Sequence, residues 1–271
     1  MPALNSISAD KLARLIGMPA APALIDLRAG GDFIPASLRR APDAASRWAE
    51  AFAGRSAVVV CRDGAEASPA VAAWLRHRGV RAETLEGGAE GWAGAGLPLV
   101  REAVLPPRDG QGRTLWVTRA RPKVDRIACP WLIRRFVDPE AVFLFAAPAD
   151  VAGVGESLDA APFDVDGVFW SHRGERCTFD VMVEELGLGE VDALRRLATI
   201  VRGADTARPE LAAQAAGLLA ASLGLSRMFA DDQEQLEAGM LLYDAFYRWC
   251  RDAVDETHDW VSHKAKAKAG A

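Results

Sequence analysis

The stretch SAVVVCRDGAEASPAVAAWLRHRG, residues 56 to 79, runs from a block of small and β-branched apolar residues into a cysteine, then a short glycine-containing loop, then an alanine-rich segment. That order predicts a buried strand delivering Cys61 to the mouth of a helix. A helix N-terminus presents unpaired N–H groups and a partial positive charge. A thiol held there ionises more readily, and the thiolate is the reactive form. Gly64 suits a tight loop whose amides turn inward, toward a nucleophile or an anion. A buried, inert cysteine at a strand end fits the same string equally well. Against that chemistry, the loop sets Asp63 and Glu66 against the single Arg62. Carboxylates near a sulfur disfavour negative charge on it and repel an anionic donor.

A second constellation lies further on. His172, one of four histidines, precedes Cys177, Asp180 and Glu184, and Asp205 closes the segment IVRGAD. Asp180 and Glu184 are four apart and share one helix face. A histidine with carboxylates from separate elements is suitable chemistry for a divalent metal such as Zn²⁺, Mn²⁺ or Fe²⁺. The expected ligand set is His172, Asp180, Glu184 and Asp205, although the spacing matches no zinc signature and solvated carboxylates would look the same. Arg126, Arg134 and Arg135 raise a third chemistry, an oxyanion pocket of forked guanidinium donors. Cys129 would then stand beside it as a reductant or sensor thiol. An amphipathic helix with its arginines in water and its cysteine packed inside accounts for the same residues.

The elements that must position these groups fall into two halves. Up to about residue 100, strand-like pieces (ALIDLR, SAVVVC, VRAETLEGG) alternate with helix-like ones (SADKLARLI, DAASRWAEAFAG, ASPAVAAWLRHRG). This alternation predicts an α/β unit, a parallel sheet with helices on both faces. REAVLPPRDGQGR carries prolines, glycines and charges but no apolar period, and reads as a linker. After it come TLWVTRA, AVFLFAA and GVFWSHRG as strands and CPWLIRRFVD as a helix. CTFDVMVEELG follows as a helix with Thr178 as its cap, and from residue 191 the pattern is almost wholly helical. LAAQAAGLLAASLGL is expected to be a buried helix, too short and too interrupted to span a membrane. The divisions expected are an α/β domain over 1–104, a linker over 105–114, a mostly helical α+β domain over 115–254 and a flexible tail over 255–271.

With 271 residues, two domains are the natural division. The net charge of −5 argues against bulk nucleic-acid binding, which needs clustered Lys and Arg. Four widely spaced cysteines without a CxxC pair suit free thiols in a reducing cytoplasm. The opening residues lack the basic-then-apolar order of a secretory leader, so a cytoplasmic protein is expected.

Several of these strings together carry a resemblance. LIDLR ends as the D-x-R strand of single-domain rhodaneses does, at Asp26 and Arg28. FIPAS is similar to their HIPGA segment in degraded form, CRDGAEAS to the active-site loop C-R-x-G-x-R-S, and LEGGAEGWAGAGLP to the closing motif. The first hundred residues thus resemble a rhodanese sulfurtransferase. The resemblance implies that Cys61 attacks a sulfane-sulfur donor, becomes a persulfide and passes the sulfur to a thiol acceptor, with no cofactor required. It further implies that the backbone of Arg62, Asp63, Gly64, Ala65, Glu66 and Ala67 cradles the sulfur, with Asp26 and Arg28 in support. Glu66 departs from the family pattern, standing where a second loop arginine is usual, which points away from small dianionic donors and toward protein or low-molecular-weight persulfides. Residues 115 to 252 resemble the C-terminal domain of the chromate-resistance ChrB family through DRIACPWLIRRFVDPEAVFLF, PFDVDG, HRGERCTFD, IVRGAD and YDAFYRWCR. Two functions follow as expectations. One is sulfur transfer coupled to an oxyanion-stress domain. The other is a non-catalytic sensor or regulator that keeps a degenerate rhodanese module.

Overall fold

The computed structural model describes residues 5–65 and 67–256. Glu66 and the expected tail from residue 257 onward lie outside the described residues.

In the first half, β1 (Ser6–Ile7), β2 (Ala23–Asp26), β3 (Ser37–Arg39), β4 (Ser56–Val60) and β5 (Arg81–Leu85) form one sheet. Its order is β1-β5-β4-β2-β3 and every pairing is parallel. The central strand is SAVVV, as its unbroken apolar run requires, because a parallel strand covered on both faces cannot alternate with polar residues. The period of two is visible in what each side chain meets. Val58 and Val60 join the core shared with Leu24, Leu85 and Trp92. Ala57 and Val59 face the opposite layer with Ile25, Phe52, Val71 and Leu75. Helices α1 (Ala9–Ala13), α2 (Ala45–Trp48), α3 (Ser68–His77) and α4 (Gly88–Gly94) link the strands.

The second half opens with a three-stranded parallel sheet of order β7-β6-β8, built from β6 (Leu115–Arg119), β7 (Val142–Ala146) and β8 (Ala161–Pro162). Its helices are α5 (Asp125–Leu132), which runs on as a π-helical turn over Ile133–Val137, and α6 (Val151–Leu158). A helical layer follows: α7 (Thr178–Glu185), α8 (Asp192–Asp205), α9 (Ala215–Met228) and α10 (Asp232–Asp252).

Three local expectations change. GVFWSHRG is not a strand; it makes only isolated bridges, Phe163 with Trp170 and Arg173 with Arg176. Thr178 is not the cap of α7 but its first residue, because its hydroxyl is drawn to Asp164 and its N–H to Asp125. The helix read as buried, α9, hides only Ala215, Leu218, Ser222 and Ser226, and leaves Leu223 and Met228 in solvent. No helix among the described residues is long and apolar enough to cross a membrane.

The segment read as a linker is tied down. Glu102 accepts from the Gly31 N–H at 2.7 Å and pairs with Arg39. Arg101 N–H donates to the Leu186 carbonyl at 3.1 Å. Asp109 closes its own turn through the amides of Gln111 and Arg113. The two halves do not keep separate cores. One cluster runs from Leu12, Val60 and Trp92 through Phe136 to Tyr247. At Gly17, φ is +80° and a Cβ would lie 2.4 Å from the Phe136 ring, so the halves meet where only glycine fits.

Candidate functional sites

Cys61 sits just past the carboxyl end of β4, and α3 begins at Ser68. Ligands of open parallel sheets gather at that edge. Its Sγ lies 3.1 Å from the Ser68 hydroxyl and 3.7 Å from Asp63 Oδ1. Ser68 is fully buried, and its hydroxyl also donates to the Gly64 carbonyl at 3.2 Å. Asp63 Oδ1 accepts the Ala65 N–H at 3.0 Å, an Asx turn that fixes the loop. Cys61 is 3% exposed, under a loop whose Arg62 and Ala65 are open to solvent.

The loop is clamped from below by the glycine pair of LEGG. The amides of Ala89 and Glu90, opening α4, donate to the carbonyls of Cys61 and Arg62, each at 2.9 Å. Gly88 has φ +57°, and a Cβ there would stand 2.5 Å from the Gly64 nitrogen and 2.6 Å from the Cys61 oxygen. Asp26 is not part of the loop. It is fully buried at the end of β2, where Arg28 engages it in a fork at 2.9 and 2.7 Å, so the pair braces the neighbouring strand end.

The second cluster forms at the carboxyl edge of the second sheet. Asp125 follows β6 as the first residue of α5, Asp164 follows β8, His172 lies in the loop before α7, and Asp205 ends α8. His172 Nε2 stands 3.2 Å from Asp205 Oδ2, 3.4 Å from Asp164 Oδ1 and 3.6 Å from Asp125 Oδ2. One ligand atom from each of Asp125, Asp164 and His172 lies within 4.8 Å of the others. Asp125 is fully buried. Its Oδ2 takes the Thr178 N–H at 2.6 Å, while its Oδ1 has no hydrogen-bond partner among the described residues. Burial, and then the carboxylates of Asp205 and Asp164, push the Asp125 carboxyl well up. Burial also acts on Asp164, but bonds from His172 and Thr178 and the charges of Arg126 and Arg119 outweigh it and hold Asp164 low. Hydrogen bonds to Asp164 and Asp205 raise His172 to about 10 against its burial. The backbone entering this site is strained: Val124, β-branched, has φ +41°, and Asp164 has φ +52°.

Of the four ligands expected from the sequence, the fold brings together His172 and Asp205. Asp180 and Glu184 point to other partners. Asp180 accepts the Cys177 N–H and pairs with Arg202 at 3.2 Å, and Glu184 pairs with Arg176. Asp125 and Asp164 take their places. Both stand in segments whose pattern was legible, DRIACPW and PFDVDG, and the missed signal was that each follows a strand of a parallel sheet. The three arginines do not make an anion pocket. Arg126 faces Asp164 at 3.3 Å, Arg134 pairs with Glu237, and Arg135 engages Asp244 at 2.8 Å, so each guanidinium already faces a carboxylate. Cys129 is fully buried, and burial with the field of Asp125 drives its thiol well up, away from the thiolate form. The Cys177 thiol is raised for the same reasons.

Residues 116–250 match the family model described as ChrB, C-terminal domain. Protein ChrB of Cupriavidus metallidurans is 37% identical over 146 residues, covering 53% of this chain and 43% of that protein; the chain therefore spans less than half of this relative. Solved structures similar to the first half include a rhodanese-related protein from Thermoplasma volcanium, 24% identical with a TM-score of 0.32, covering 36% of this chain and 98% of the other. A thiosulfate sulfurtransferase from Pseudomonas aeruginosa is 25% identical with a TM-score of 0.32, covering 38% of this chain and 21% of the other. A 3-mercaptopyruvate sulfotransferase from Escherichia coli is 17% identical with a TM-score of 0.32, covering 55% and 76%. These likenesses assign no activity to this chain.

Proposed function

Because residues 116–250 are a ChrB C-terminal-type domain behind a rhodanese-like α/β unit, we propose that the chain is a sulfur-transfer protein acting through a Cys61 persulfide, in the setting of chromate or related oxyanion stress. The observation that supports this most is the placement of one sulfur at the carboxyl edge of the central strand, 3.1 Å from a buried hydroxyl and under a loop clamped by Gly87 and Gly88. In the first half-reaction the Cys61 thiolate attacks the outer sulfur of a donor persulfide. A new S–S bond forms on Cys61, the donor's S–S bond breaks, and the donor leaves as a thiolate. In the second, an acceptor thiolate attacks the outer sulfur of the Cys61 persulfide, and the Cys61 thiolate is regenerated. Ser68 can turn its O–H from the Gly64 carbonyl to the sulfur when charge develops there, a positioned donor where it is needed. Asp63, 3.7 Å from the sulfur, opposes an anionic donor. The substrates that fit are therefore persulfides on proteins or on low-molecular-weight thiols rather than thiosulfate. The four cysteines are all free thiols, in keeping with a reducing cytoplasm.

The test is a steady-state comparison of donors. Transfer from glutathione persulfide to a thiol acceptor is expected to exceed transfer from thiosulfate, and to vanish in Cys61→Ser. One feature favours a second reading, a regulatory module without turnover: Cys61 is 3% exposed, with a carboxylate beside its sulfur. No transfer from either donor would leave that reading standing alone.

A further inference from the structure

We propose that Asp125, Asp164, His172 and Asp205 form a site for one divalent cation of the hard, oxygen-preferring kind at the carboxyl edge of the second sheet. The inference is independent of Cys61. Four side chains from three parts of the chain, the start of α5, the β8–α7 connection and the end of α8, surround His172 Nε2, which stands 3.2, 3.4 and 3.6 Å from three carboxylate oxygens, and Asp125, Asp164 and His172 each offer a ligand atom within 4.8 Å of the others. Two ligands held ~2.1 Å from one ion at tetrahedral or octahedral angles stand roughly 3.0–3.4 Å apart, so these separations are close to the edges of a coordination shell.

The second observation is separate. Asp125 is fully buried, and its Oδ1 has no hydrogen-bond partner among the described residues. A buried carboxylate oxygen left without a partner is costly, and a cation removes the cost. The other oxygen, Oδ2, takes the amides of Thr178 and Phe179 at 2.6 and 3.3 Å and is the one that faces His172 at 3.6 Å, so the carboxylate is held at the cluster. Asp164 is oriented in the same way, its Oδ1 by the Thr178 hydroxyl at 3.0 Å and its Oδ2 by Arg119 and Arg126 at 3.2 and 3.3 Å. Outer partners that fix ligand orientation are a regular feature of metal sites. The φ of +41° at Val124, immediately before Asp125, is held by the Tyr243 hydroxyl donating to the Val124 carbonyl at 3.0 Å. Backbone strain of that kind persists where the surroundings fix a functional geometry.

Three oxygens and one imidazole nitrogen, with no thiolate among them, suit Mn²⁺ or Fe²⁺ better than a thiophilic ion. The His172 side chain is 40% exposed, which leaves the site an entry from solvent.

The test uses the full chain, stripped with a chelator and dialysed against Mn²⁺, and in a parallel arm against Zn²⁺, with metal content and thermal unfolding both recorded. The wild type is expected to take up one ion per chain and to unfold at a higher temperature with it. His172→Ala and Asp125→Asn are each expected to weaken uptake more than about tenfold and to abolish the thermal shift. Glu184→Gln, at a residue paired with Arg176 outside the cluster, should bind as the wild type does. His172→Ala, at a half-exposed position, keeps the test decisive if Asp125→Asn fails to fold. Absence of saturable uptake of either ion in the micromolar range, or uptake unchanged in His172→Ala and Asp205→Asn alike, would overturn the proposal and leave His172 as a plain counter-charge to three carboxylates.

Discussion

Asp63 is where charge meets chemistry, its Oδ1 3.7 Å from the Cys61 sulfur. Its carboxylate disfavours a negative sulfur and a negative donor at once. Asp63→Asn keeps the acceptor that closes the turn on Ala65 while removing the charge. The rate with thiosulfate is therefore expected to rise on the order of tenfold, with a smaller change for a persulfide on a neutral carrier. A rate ratio between the two donors that does not move would show that Asp63 is not what selects them. Ser68→Ala tests the opposite partner. Loss of the hydroxyl 3.1 Å from the sulfur should slow transfer several-fold, about 1 kcal/mol for one lost hydrogen bond, without changing the melting temperature by more than a few degrees. Equal rates in Ser68→Ala and wild type would remove Ser68 from the mechanism.

The loop depends on what lies beneath it. Gly88→Ala would force a Cβ to within 2.7 Å of the Arg62 oxygen and closer still to Cys61 and Gly64, at φ +57°. The combined overpacking and backbone strain should cost roughly 2–4 kcal/mol and abolish transfer even where the protein folds. Gly94→Ala, in the same helix with open space around it, should be neutral or slightly stabilising. Thermal unfolding and sulfur transfer measured on both variants check this directly. Which elements could be read from the sequence follows from the same physics. SAVVV is legible because both its faces are covered, so its composition alone marks a strand in the interior of a parallel sheet. GVFWSHRG has strand-like composition but finds only isolated bridges, because β8 is too short to extend the pairing. Asp180 and Glu184 do share a helix face, as four-residue spacing demands. That face meets Arg176 and Arg202 instead of His172. Spacing within one element was readable, and the direction in which that face points depends on packing between elements. Asp125 and Asp164 are separated by β7 and α6, and only the strand order brings them together.

At the scale of the whole molecule, the halves are joined through Phe136, which packs on Gly17 and Tyr247 and whose carbonyl accepts the Ala36 N–H at 2.7 Å. The sequence pattern suggested two units with a loose connection, because the connecting residues carry no apolar period. The ion pairs that hold them, Glu102 with Arg39 and Arg108 with Asp138, leave no periodic trace. A shared core predicts one cooperative unfolding transition. Phe136→Ala should cost about 3–5 kcal/mol and lower that single transition as a whole, including the signal from the strands around Cys61. Calorimetry that resolved two transitions, with only one of them shifted by Phe136→Ala, would contradict the shared core.

The most direct measurement is the intact mass of the full chain after incubation with glutathione persulfide and removal of free donor, recorded before and after mild reduction. The wild type is expected to gain one sulfur atom, a gain reversed by reduction and absent in Cys61→Ser. A wild-type mass that never changes, or the same gain in Cys61→Ser, would contradict it.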